Sequence, residues 1–145
     1  VCGGAFISGV AMAIKENNPQ VRIIGVEPEN ANAMWLSLQQ NKIVEKEQID
    51  TIADGLALRK PGEKPFSIVK KYVDEIVLVT EDEIKKALIF LLERAKLLVE
   101  PSGAVTVASI IANKLNIKNK EIVSILSGGN VDLDKLTIYL KEEIR

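Results

Sequence analysis

The chain has 145 residues, 47% of them hydrophobic, enough to bury the core of one compact domain and too few for two independent ones. Nineteen basic residues against twenty acidic ones leave a net charge of −1, with lysines interleaved among acids, which argues against a nucleic-acid partner. A single cysteine, Cys2, and no histidine exclude a disulfide framework, a cysteine zinc cluster and the commonest general base. No apolar run reaches the roughly twenty residues of a membrane span and no signal peptide is recognisable, so a cytoplasmic chain with no membrane partner is expected.

Taken in order, the elements alternate between helix and strand. Cys2-Gly3-Gly4-Ala5 is a small-residue turn leading to a helix from about Ser8 to Glu16, stopped by Asn17-Asn18-Pro19. The first unpaired amides of such a helix, reached through small residues, suit an anion. The spacing matches neither a Walker loop nor a dinucleotide fingerprint. Val21 to Glu27 is a continuous apolar strand ended by Pro28, the pattern of a parallel sheet covered on both faces. Ala31 to Gln40 is an amphipathic helix whose stripe of Ala31, Met34, Trp35 and Leu38 reads as core. Thr51-Ile52-Ala53-Asp54-Gly55-Leu56 and the Pro61-Gly62-Glu63 turn belong to a longer connection, of the kind that often borders a site.

A second strand, Glu75 to Val79, runs into Thr80-Glu81-Asp82-Glu83, a capping box opening a helix to about Leu98; the carboxylates of its first turn are expected to be caps. Glu100-Pro101-Ser102-Gly103-Ala104 starts a further helix, with proline in its first turn, running to Ala112. Ile122 to Leu126 reads as a last buried strand, delivering Ser127-Gly128-Gly129-Asn130 at a strand's carboxyl end, where ligands sit in open α/β sheets. An ordinary glycine turn carries the same signature. A polar-faced helix from about Leu133 follows.

The ordered series Gly3-Gly4 before Ile7-Ser8-Gly9, Gly25-Val26-Glu27-Pro28, Thr51-Ile52-Ala53-Asp54-Gly55, Glu93-Arg94, Glu100-Pro101-Ser102-Gly103-Ala104 and Ser127-Gly128-Gly129-Asn130 resembles the threonine dehydratase and serine racemase family. The resemblance runs nearly end to end. It implies an α/β fold of three αβα layers with a mainly parallel sheet, the carboxyl-terminal part of the large domain of a fold-type II pyridoxal-phosphate enzyme, as one domain over residues 1–145. It also implies the cofactor pyridoxal phosphate and an amino-acid substrate.

Residue by residue, the family's phosphate-wrapping glycine run falls on Cys2, Gly3, Gly4 and Ala5, where two β-carbons replace hydrogens. Gly55 matches a loop bordering the cofactor. Glu100, Ser102 and Gly103 match a segment near its ring, Ser127 matches the residue facing the pyridine nitrogen, and Gly128 beside it is implied to border the cofactor. A divalent cation, held in serine racemases near Glu27 and the carbonyl of Ala31, would lack its third ligand because Ala33 stands there. The family's Schiff-base lysine lies in a Ser-Phe-Lys-x-Arg-Gly segment that has no counterpart here, and the fifteen lysines read as solvated surface. The resemblance thus implies a carboxyl-terminal half of a threonine or serine ammonia-lyase, inactive alone, or else a non-catalytic remnant, an oligomerising module or half of a serine racemase. In each version a homodimer or a complex with an amino-terminal half is expected, because an incomplete sheet exposes an apolar face.

Overall fold

The computed structural model describes residues 1–143. Two parallel strands, β1 (Ile24–Pro28) and β2 (Glu75–Val79), pair in the register Gly25 to Ile76, Val26 to Val77 and Glu27 to Leu78. Alternation along each strand sends Val26, Val77 and Val79 to one face and Gly25, Glu27 and Ile76 to the other. Helices cover both faces.

The first face carries the larger core, in which the strand valines meet Ile84, Ala87 and Leu88 of α4 (Glu81–Phe90), Ala104, Val105 and Ala108 of α5 (Pro101–Ile111), and Leu136 of α6 (Leu133–Glu143). On the second face Ile76 packs with Met34 of α2 (Ala33–Gln39) and Val69 of α3 (Glu63–Tyr72), joined by Ile7 of α1 (Ala5–Asn17). Gly25 lets α1 approach, since a β-carbon there would lie 3.1 Å from Ile7 Cδ1. The arrangement is the expected α/β sandwich with a parallel sheet.

The expected capping box is present in full: Glu83 N donates to Thr80 Oγ1 and Thr80 N to Glu83 Oε2. α4 passes into a wider π turn, Leu91–Ala95, and stops at Lys96, whose φ of +59° is incompatible with continuing to Leu98. β1 begins at Ile24 rather than Val21, and α2 begins at Ala33 after a single 3₁₀ turn at Glu29–Ala31.

One element goes beyond the sequence reading and one expectation is corrected. α3 follows the Pro61-Gly62-Glu63 turn in a stretch given no element from the sequence: Pro65 is tolerated in its first turn, and Phe66, Val69 and Val73 lie at helical spacing against the second core. Ile122 to Leu126 forms no strand. A strand exists only through its ladder, β1 and β2 pair with each other, and among the described residues no segment pairs with 122–126. Instead Thr106 Oγ1 donates to Ile125 O and Ser124 Oγ to Thr106 Oγ1, leaving Ile122, Val123 and Ile125 exposed.

Candidate functional site

Residue 55, the start of α5 and the turn at 127–130 converge. Gly55 sits over the opening of α5, where a β-carbon would stand 2.9 Å from Ser102 Oγ and 3.3 Å from Glu100 Oε1. Gly103 lies under the serine turn, its missing β-carbon 3.0 Å from Ser127 O, and Gly128, at φ +104°, leaves the space a β-carbon would take 2.6 Å from the Glu100 carboxylate. Glu100 fastens that turn from both ends: its amide donates to Gly128 O and its Oε2 accepts from Asn130 N at 3.0 Å. Ser127 itself is exposed. Ser102 is only 8% exposed, and its Oγ has no hydrogen-bond partner among the described residues, an orphaned buried hydroxyl that a polar ligand would satisfy.

The connection from 54 to 62 runs from this cluster to the amino-terminal glycine turn. Asp54–Leu56 is a single 3₁₀ turn; Leu58 then packs against Gly3, and Gly62 N donates to Gly3 O at 3.2 Å. Gly4 caps α1 at φ +91° with no side chain closing the helix start, so the first-turn amides have no side-chain acceptor. The two departures from an all-glycine turn differ in consequence. Ala5 is already helical and accommodates its β-carbon, whereas Cys2 sits in the left-handed region at φ +57°.

Glu27, at the carboxyl end of β1 and 1% exposed, caps α2: its Oε2 accepts from Trp35 N at 2.9 Å. Burial pushes its carboxyl up to about 7, against the opposing pull of nearby positive charge and the backbone amides of Trp35 and Met34. Lys46 completes this corner, its ammonium donating to Asn30 O at 3.2 Å and Asn32 Oδ1 at 2.9 Å. Among the described residues no three His, Cys, Asp or Glu gather to hold a metal.

Sequence reading assigned the first-turn acids of α4 to capping, which holds for Glu83 but not for Glu81. Glu81 Oε2 accepts from Ile52 N at 2.8 Å and Thr51 Oγ1 at 3.1 Å, across about thirty residues, a contact with no local signal.

The family model described as "Pyridoxal-phosphate dependent enzyme" matches residues 1–128. The chain belongs to the pyridoxal-phosphate-dependent enzyme family. It is 48% identical over 136 residues to an L-threonine ammonia-lyase of Thermotoga maritima, a match covering 94% of this chain and 34% of the relative. With the catabolic L-threonine dehydratase of Escherichia coli it shares 42% identity, covering 93% of this chain and 42% of that one. The solved structure of maize serine racemase superimposes with a TM-score of 0.88 at 34% identity, over 99% of this chain and 45% of that one. The chain therefore spans between about one third and one half of these relatives' lengths. The fold is that of fold-type II enzymes, and the family's cofactor is pyridoxal phosphate. The unpartnered Ser102 hydroxyl and the uncapped start of α1 fit such a group. No helix among the described residues is long and apolar enough to cross a membrane.

Proposed function

We propose that this chain supplies cofactor-holding walls of an ammonia-lyase that converts a β-hydroxy amino acid, threonine or serine, to a 2-oxo acid and ammonia. The observation that carries the reading is the partnerless Ser102 hydroxyl under Gly55, next to the Glu100 carboxylate that meets both Gly55 and Gly128, in a chain similar to enzymes named L-threonine ammonia-lyase and dehydratase.

In this reading the turn Cys2–Gly3–Gly4–Ala5 receives the cofactor phosphate at the start of α1, where the helix dipole favours an anion; the Gly4 amide itself donates to Val1 O and shapes the turn. Gly55 and Gly128 let the Ser102 and Glu100 side chains pack against the backbone beside the site, and Ser127 would hold the ring nitrogen. Bound pyridoxal phosphate supplies the electron-withdrawing system that stabilises negative charge at the substrate's α-carbon. A neutral hydroxyl at Ser127 holds that nitrogen without giving it a full positive charge, which favours expulsion of a β-hydroxyl over a long-lived carbanion. Glu100 orients the turn that presents Ser127 through its bond from Asn130 N.

The chain alone is proposed to lack turnover. Its three lysines that are not exposed are engaged elsewhere: Lys15 with Asp74, Lys46 with Asn30 and Asn32, and Lys85 with Asp82 and Glu142. None is therefore available to take the family's covalent role, which falls to an amino-terminal half joined to or associated with this chain. A second reading, a non-catalytic or oligomerising module of the same fold, is favoured by the left-handed Cys2 in the phosphate turn.

Titration of the full chain with pyridoxal phosphate, followed by borohydride reduction, peptide mapping and a 2-oxo acid assay with threonine, tests this. Saturable binding without covalent fixation or product is expected. Cofactor trapped on one lysine would overturn the assignment of the covalent role, and absence of binding would favour the second reading.

A further inference from the structure

The connection from residue 40 to 62 holds little regular structure, yet its Asp54–Leu56 turn must stay seated on Ser102 and Glu100 for the proposed cofactor wall to exist. Among the described residues, the hydrogen bonds that tie Thr51 and Ile52 to another element both end on one atom, Glu81 Oε2. Thr51 Oγ1 passes the restraint on by accepting from Ala53 N at 3.1 Å, and Ala53 is fully buried. From there the turn closes locally, with Leu56 N donating to Ala53 O at 2.8 Å and Ala57 N to Asp54 O at 3.0 Å.

Glu81 is free to do this because the helix start does not need it. Thr80 and Glu83 already satisfy each other across the capping box. As the first residue of α4, a ten-residue helix, Glu81 carries a carboxylate, a strong hydrogen-bond acceptor, beside the positive end of the helix dipole. Its other oxygen, Oε1, is buried without a hydrogen-bond partner among the described residues. The side chain therefore faces inward, toward the connection, instead of fraying into solvent as most exposed first-turn acids do.

We propose that Glu81 is a positioning residue: its carboxylate, fixed at the carboxyl end of β2 by the start of α4, clasps Thr51 and Ile52 and so seats the Asp54–Leu56 turn against Ser102 and Glu100. The inference rests on the reading of that turn as a cofactor wall, and deepens it by naming what holds the wall in place.

Hydrogen exchange on the intact chain, read residue by residue, tests the clasp without cofactor. Glu81→Ala is expected to speed exchange of the Ile52, Leu56 and Ala57 amides about tenfold or more, the loss of a charge-assisted acceptor, while α4 amides beyond its first turn keep their rates. Glu81→Gln, whose amide oxygen can accept the same bonds, restores most of the protection. Thr51→Val removes only the hydroxyl link, so Ala53 loses protection while Ile52 keeps it. A parallel titration with pyridoxal phosphate is expected to show weaker binding for Glu81→Ala by severalfold and near-normal binding for Glu81→Gln. Unchanged exchange at 52–57 in Glu81→Ala would overturn the inference, as would equal impairment of the Ala and Gln variants. If the unmodified chain takes up no cofactor, the reading of the site falls, and the exchange pattern decides the clasp by itself.

Discussion

Gly4 is held at φ +91° with Met34 Cε and Pro65 Cβ at 2.5 and 2.9 Å from where a β-carbon would stand, so conformation and packing both require glycine. Gly4→Ala is expected to destabilise the chain by about 2–4 kcal/mol in urea unfolding, combining left-handed strain with overpacking. Cys2 meets the same backbone demand with a side chain. Cys2→Gly relieves the left-handed penalty and loosens the unfolded chain, two effects of opposite sign, so a change between zero and about 1 kcal/mol of stabilisation is expected. Glu27 gives a pH signature. Its folded pKa, raised to about 7 from 4.5, means the native state binds the proton more tightly than the unfolded chain does. Its contribution is therefore complete below pH 4.5 and fades as pH rises through 7, by up to about 1.4 kcal/mol per pH unit. Unfolding followed across this window should show that slope, and Glu27→Gln should flatten it.

At the level of elements, the contrast is between structure encoded locally and structure that depends on distant partners. The start of α4 is local: Thr80 and Glu83 are three residues apart, and Thr80→Ala should cost about 1 kcal/mol, measurable by thermal unfolding. Such features were legible in the sequence. The capping box, the proline start of α5 and the core β2 all lie where pattern reading put them. Ile122 to Leu126 has the composition of a strand, but strandness is a property of a pair, and no partner lies beside it among the described residues. α3 went unread because Pro61, Gly62 and Pro65 outweigh, locally, a stripe whose value comes from packing on Met34 and Ile76. The site divides the same way. Its glycines were visible as glycines; that Gly55 and Gly128 both face the Glu100 side chain while Gly103 lies under the serine turn is a fact of tertiary assembly.

For the molecule as a whole, the decisive quantity is apolar surface left in water. Val123 is 90% exposed, Leu133 65%, Phe6 61% and Ile138 54%, spread over the 122–126 segment, α6 and α1. Single exposed apolar side chains are common, but Ile122, Val123 and Ile125 lie together on a stretch whose backbone joins no ladder among the described residues, offering a partner both hydrogen bonds and a hydrophobic surface. Pairing there would remove apolar area from water at roughly 25 cal/mol per Å² and satisfy the open backbone groups together. The chain is therefore expected to self-associate. In sedimentation equilibrium its average mass should climb above that of the monomer as concentration rises. Val123→Lys should reverse the climb while leaving unfolding within about 0.5 kcal/mol of the parent, since this side chain makes little contact in the folded chain. A parent chain that stays monomeric at high concentration would refute the expectation; association that survives Val123→Lys would move the contact to α6 or α1, where Leu133→Lys and Phe6→Lys discriminate between them.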